Sequence, residues 1–259
     1  MRVARFVTAT LCLMLMSAAG AMASTVTVFI SGGFRAAYDQ LAPAYEMQKG
    51  NVLVTKQSPS MGADPTAVPA RLARHEPADI VIMVRSALDG LVAGGQIVPD
   101  SVTDLGIGHV ALAVKAGASK PDISSVEAFK RTLLHAKSLA LSDSASGVYF
   151  RTVLFKKLGI EKQMLPKTHT IQATPVGLNV ARGEYEMGVQ QFSELKPVAG
   201  IEIVGLIPKA VQLPTPYSAG LVKGAPDEKD GRDLIHFLAS SKAFGAIRDS
   251  GMEPAQEKK

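Results

Sequence analysis

Tryptophan is absent from this chain, and cysteine occurs once, as Cys12. Aromatic residues make up only 5% of the 259 positions, which argues against the stacking platforms that bind sugars or bases. The five histidines, His75, His109, His135, His169 and His236, are far apart, with no H-E-x-x-H or similar ligand spacing. No G-x-S-x-G nucleophile elbow, P-loop or dinucleotide fingerprint occurs. These absences lead us to expect no metal and no cofactor. They also exclude the common thiol, zinc and nucleotide chemistries.

The N-terminus supplies the clearest positive signal. Arg2 and Arg5 precede an apolar run from Phe6 to Met16, and small residues lead to Ala21-Met22-Ala23 before Ser24. This is the layout of a secretory signal peptide over residues 1–23, cleaved after Ala23. The run is shorter than the roughly 20 residues that span a bilayer, so a retained signal anchor is the less favoured alternative. No later apolar stretch has the length of a membrane helix. Cleavage leaves 236 of the 259 residues without any cysteine, hence with no disulfide, thiol nucleophile or thiolate metal site. Such a chain rests on its hydrophobic core, which its 47% apolar content permits. Taking Arg2 and Arg5 from the 28 basic residues leaves a net charge of +3 against 23 acidic ones. That excess is mild and scattered, so nucleic acid is not expected as a partner.

Strand and helix patterns alternate along the mature chain. TVTVFI (25–30) is β-branched and stops at Ser31-Gly32-Gly33; Phe34, Tyr38, Leu41 and Tyr45 then recur at helical spacing up to Gly50. ADIVIMV (78–84) is the continuous apolar run of a strand buried on both faces. HVALAVK (109–115), SLALS (138–142), Tyr185–Gln191, Val198–Gly205 and Tyr217–Lys223 read as further strands. Residues 229–250 read as one long amphipathic helical region, and the tail after Gly251 as frayed. The order predicts an α/β fold with largely parallel sheets.

Three strand ends share a pattern: small hydroxyl or glycine residues, then a helix. They are Ser31-Gly32-Gly33, Ser58-Pro59-Ser60-Met61-Gly62 and Ser144-Ala145-Ser146-Gly147. A helix N-terminus presents free N–H groups and about half a positive charge. Three such ends facing one cleft form an anion site without lysine. Each serine is equally readable as an ordinary N-cap.

The chain resembles the periplasmic molybdate-binding protein family, a branch of the type II solute-binding fold. The resemblance runs through TVTVFISGGF, Tyr45-Glu46-Met47-Gln48-Lys49-Gly50, the serine loop at 58–62, Glu76-Pro77-Ala78-Asp79-Ile80-Val81-Ile82, VALAVK, Ser146-Gly147-Val148-Tyr149, Lys157-Leu158-Gly159 and Arg182-Gly183-Glu184-Tyr185-Glu186-Met187-Gly188-Val189. It implies two α/β lobes, one of residues 24–105 plus 217–259 and the other of 106–216. They would be joined by two crossing strands, with ligand in the cleft between them. It also implies a periplasmic, monomeric protein that recognises a small anion and passes it to the membrane component of an ABC importer.

The departures from the family pattern lie at the ligand loops. Where the family usually reads Ala-Ala-Ser-Leu, this chain has Ser31-Gly32-Gly33-Phe34; Ala63-Asp64-Pro65 lengthens the second loop; and the family's ligand tyrosine is replaced by Gln190 or Gln191. Arg151 is either a solvated helix arginine or a two-pronged carboxylate contact. Molybdate is therefore less expected than a di- or tricarboxylate held by Ser31, Gly32, Gly33, Ser58, Ser60, Ser146, Gly147, Arg151, Gln190 and Gln191. A divergent branch of the same family comprises periplasmic aconitate isomerase, which moves a proton along an allylic system. On that alternative a base must reach the substrate, and the candidates are Tyr149, Glu194, His109 and Lys56. Each also has a plain structural role open to it: packing, a first-turn acid, or a strand terminus.

Overall fold

The computed structural model describes residues 23–172 and 174–256, so the proposed signal peptide lies outside the described residues, apart from Ala23. Two sheets organise the chain. The first contains β1 (Thr25–Ile30), β2 (Val52–Gln57), β3 (Ile80–Val84), β4 (Thr103–Gly108), β10 (Thr215–Leu221) and β11 (Glu253–Pro254), in the order β11-β4-β10-β3-β1-β2. The second contains β5 (Val110–Lys115), β6 (Leu139–Ser142), β7 (Thr168–Ile171), β8 (Met187–Gln191) and β9 (Ile201–Leu206), in the order β7-β6-β8-β5-β9.

Side-chain alternation explains the layering. In β1, Val26, Val28 and Ile30 join a core with Phe34, Tyr38 and Tyr45 of helix Gly32–Lys49 and Leu234 and Leu238 of helix Glu228–Ala239. Phe29 points the other way, onto Val68, Leu72 and Leu88 of helices Val68–Ala73 and Arg85–Ala93. β3, the IVIMV run, is buried throughout because both faces are covered. In β5, Val110, Leu112 and Val114 face a core with Phe129, Phe150 and Phe155, while Ala111 and Ala113 face Leu195. The result is a two-lobed α/β protein with a separate core in each lobe.

The chain changes sheets twice. β4 runs through Gly108 and His109 directly into β5, and the return passes from β9 to β10. Gly108 pairs with Thr215 and Val110 with Gln191, so both crossings lie side by side at the base of the cleft.

Three expectations require correction. Both sheets are mixed rather than largely parallel: β10 is antiparallel to β3 and β4, and β5 is antiparallel to β8 and β9. A strand that crosses between lobes enters its sheet against the local direction. The tail is not frayed over its described residues, 252–256. Gly251 turns it at φ 93, Met252 inserts into the first core, and Glu253–Pro254 pairs with Ile107 and Gly106. The long C-terminal helix breaks at Ser240, whose extended backbone separates Glu228–Ala239 from a short 3-10 turn and Phe244–Asp249. β4 and β7 were not anticipated, because TDLGIG and THTI carry too little apolar alternation to be read as strands.

Candidate functional site

The C-terminal ends of β1, β2, β6 and β8 open onto one cavity of about 310 Å³. Ser31, Gly32 and Gly33 form one wall, Gln57, Pro59 and Ser60 a second, and Ser142, Asp143 and Ser144 a third. Gln190, Ser193 and Glu194 close it from the second lobe, and Tyr217, on the returning crossover, lines it too. All three small-residue loops thus meet at the cleft, though not through all of the residues expected.

Ser31 separates the two readings of the serines. It holds the N-cap position of the 18-residue helix Gly32–Lys49, yet makes no capping bond; its Oγ is buried and without a hydrogen-bond partner. A buried hydroxyl left unpaired costs about 1–3 kcal/mol, so a ligand oxygen here recovers that cost. The first N–H groups of the same helix have no intrahelical partner and add the positive end of its dipole. Ser60 is buried too. Its Oγ accepts from Val84 N–H at 3.0 Å, which leaves its own proton free to donate.

Gly32 and Gly33 are required by close approach. A Cβ on Gly32 would strike the Glu194 carboxylate, and one on Gly33 would strike the Tyr217 ring and hydroxyl. Ser193 Oγ donates to the Gly33 carbonyl at 2.7 Å, so the two lobes are in direct contact here. The shift from the family's loop to Ser-Gly-Gly therefore makes room for an acid and a phenol at the anion wall.

Glu194 is half-buried, in the short helix Phe192–Leu195. Gln190 Nε2 donates to its Oε2 at 2.7 Å, while Gln190 Oε1 accepts from Val176 N–H at 2.9 Å, which fixes the amide. Burial pushes the Glu194 carboxyl up to about 7, and the bond from Gln190 opposes this. Tyr217 is 2% exposed and donates no hydrogen bond within the described residues. Burial, then the adjacent Glu194, raises its hydroxyl well above the ordinary range. Asp143 is raised as well, chiefly by burial, and its Oδ2 has no partner. Among the described residues Arg35 is the one cationic side chain lining the cavity; it holds Asp39 at 2.6 Å and Gln57 at 3.3 Å.

The remaining anticipated residues lie outside this lining. Ser58 is buried and donates to the Lys56 carbonyl at 3.2 Å. Ser146 pairs with Ser142 Oγ at 3.3 Å, and Gly147 packs so closely on the Ser142 carbonyl that no Cβ fits. Arg151 donates to Thr170 Oγ1. Gln191 sits between the crossings, its Nε2 3.1 Å from Thr215 Oγ1. Tyr149 donates to the Val211 carbonyl at 3.0 Å. His109 faces Glu253 at 3.2 Å, and Lys56 pairs with Glu76 at 3.0 Å. Of the four candidate bases only Glu194 faces the cavity. Tyr217 and Asp143 were not among the anticipated residues. Asp143 carried a usable signal, an acid at the C-terminal end of a parallel strand, and Tyr217 lies on a strand that crosses the cleft floor.

A model of the family of bacterial extracellular solute-binding proteins matches residues 26–253. An aconitate isomerase from Pseudomonas sp. is 51% identical over 231 residues, which cover 89% of this chain and 88% of that protein. The periplasmic molybdate-binding protein of Azotobacter vinelandii superimposes with a TM-score of 0.70 at 19% identity, covering 88% of this chain and 98% of that one. The sulfate-binding protein of Mycobacterium tuberculosis superimposes with a TM-score of 0.68 at 15% identity, over 90% and 88% of the two chains. The two structures share the fold, and the family match accords with a binding cleft between lobes.

Proposed function

We propose, given that this chain belongs to the bacterial extracellular solute-binding protein family, that its cleft has become catalytic and interconverts cis- and trans-aconitate. One observation carries this reading: the cavity places a carboxyl poised near pH 7, Glu194, against the uncapped helix start at Ser31-Gly32-Gly33. A carrier needs only donors for an anion. An acid titrating near neutrality suits a group that removes and returns a proton. The likeness to an aconitate isomerase supports the choice of substrate.

The reaction needs one proton to move. Ionised Glu194 takes a proton from the substrate methylene carbon, and the electron pair spreads over the three-carbon unit into a flanking carboxylate. Glu194 then returns the proton to the opposite end carbon. The double bond shifts across the central carbon, and the geometry held at the new bond decides between cis and trans. Charge grows on the carboxylate in the transition state, where Ser31 Oγ–H, the helix N–H groups and the Tyr217 hydroxyl are fixed donors. Arg35 lines the same wall, its charge paired with Asp39.

The proposed location is the periplasm, after cleavage between Ala23 and Ser24. The lobe division expected at 105/106 and 216/217 is proposed instead at the two crossings, near 109 and 214, because β4 runs to Gly108 and β10 starts at Thr215. Family membership also favours a second reading, a carrier that delivers a small anion to an ABC importer. Incubating the purified mature chain with cis-aconitate in deuterated water, followed by NMR, separates the two. The isomerase reading expects trans-aconitate to accumulate. Binding with no interconversion over hours leaves the carrier.

A further inference from the structure

We propose that Asp143 is a specificity-determining residue that takes up a proton as the ligand binds and donates it, as an O–H···O hydrogen bond, to a ligand carboxylate. The inference rests on the isomerase reading for its ligand class. Asp143 follows β6 at the cavity wall, and its Oδ2 is buried with no hydrogen-bond partner. From the other lobe, Gly62 covers it so closely that a Cβ there would lie 2.5 Å from Oδ2. The charged groups that face it are Asp64, which repels its ionised form, and Arg151, which favours it; Arg35, Asp39 and Glu194 line the same cavity.

Donor counting leads to the assignment. Aconitate at neutral pH has three carboxylates and neither an O–H nor an N–H group. Ionised Asp143 is also acceptor-only. A ligand carboxylate bound against ionised Asp143 would set two acceptors face to face, in a cleft where, among the described residues, Arg35 is the sole lining cation and is already paired with Asp39. Glu194 cannot resolve this, because its Oε2 already accepts from Gln190 and its ionised form is the proposed base. A neutral Asp143 turns the clash into a charge-assisted hydrogen bond. The proton comes from the solvent and returns there on release; no covalent bond to the ligand forms. Burial already displaces Asp143 toward the neutral form, and an adjacent anion displaces it further.

The test uses Glu194→Gln, in which trans-aconitate binds without turnover. Calorimetry at pH 7.5 in two buffers of different ionisation heat, PIPES and Tris, should show uptake of between about half a proton and one per ligand. Affinity should fall up to about tenfold per pH unit above neutrality. Adding Asp143→Asn, whose amide is a permanent donor, should abolish the uptake and flatten the pH dependence while binding persists. Unchanged uptake in the double variant overturns the assignment. If that variant does not fold, infrared difference spectra of Glu194→Gln decide instead: a protonated carboxyl stretch must appear on binding, and its absence overturns the assignment. Asp143-dependent uptake without turnover in the unaltered chain sinks the isomerase reading alone, and turnover with Asp143-independent uptake sinks this inference alone. Failure to bind any polycarboxylate sinks both.

Discussion

Replacing Glu194 by Gln should remove activity and raise stability in one step. The carboxyl goes from 4.5 to about 7 on folding, mainly through burial. Between those pH values the native state holds a proton that the unfolded chain has released. Stability therefore falls as pH rises through this window, and the penalty is complete above about pH 7. At about 1.4 kcal/mol per unit the full penalty is of the order of 3 kcal/mol. Residual exposure to the cleft screens it, so about 1–3 kcal/mol is a sounder range. Gln retains the acceptor that Gln190 needs and carries no charge to desolvate. At pH 8 the variant should melt roughly 2–10 °C higher than the unaltered chain, with the difference vanishing near pH 4. Loss of the base should lower aconitate turnover by about 10²–10⁴-fold. Calorimetric melts at pH 4 and pH 8, alongside NMR turnover, check both limbs. A variant with normal turnover, or one that melts lower at pH 8 than the parent, would refute the placement of a strained, functional carboxyl at this wall.

With Asp143→Asn supplying a permanent donor, kcat/KM for aconitate should rise with pH to a plateau, its midpoint near 7, since deprotonated Glu194 is then the only controlling group; a stopped-assay pH series measures it. Ser31→Ala should weaken ligand binding by about 1–3 kcal/mol and raise the melting temperature without ligand, because it removes a buried hydroxyl that makes no capping bond and has no partner. Asp227→Ala, which removes a cap that accepts from Asp230 N–H, should show the converse: a stability loss of about 1 kcal/mol with unchanged affinity by calorimetry. Gly33→Ala should displace Tyr217 and lower both ligand affinity and turnover, read in the same two assays.

The layered architecture was legible because its strongest signals are local. The continuous burial of β3 and the helical spacing of Phe34, Tyr38 and Tyr45 follow directly from the apolar pattern. β4 was hidden because its stability comes from β10 and β11, more than 100 residues away, rather than from its own TDLGIG. The site was legible at the level of loops but not of atoms. All three small-residue turns reach the cleft, yet Ser58 and Ser146 spend their hydroxyls on neighbours within their own turns while Ser31 does not. That difference lies in which acceptor each local backbone path brings within reach, which residue type alone does not encode. Glu194, an acid just after the end of β8, stands among the candidate bases and lines the cavity, whereas Tyr217, which lines it too, reads as core because it is a tyrosine in an apolar strand.

The empty cap of helix Gly32–Lys49 reaches beyond the chemistry of the cleft. On the proposed reading, an anion at Ser31 supplies the acceptor that this long helix lacks, so the ligand becomes a missing piece of secondary structure. Native chain and ligand then share one unfolding equilibrium: each tenfold rise of ligand above its dissociation constant adds about 1.4 kcal/mol to the stability of the whole protein. In the proposed periplasmic location, where proteases sample transiently opened chains, abundance would then follow supply. The protein would persist while its ligand is present and be cleared when it runs out, with no transcriptional signal involved.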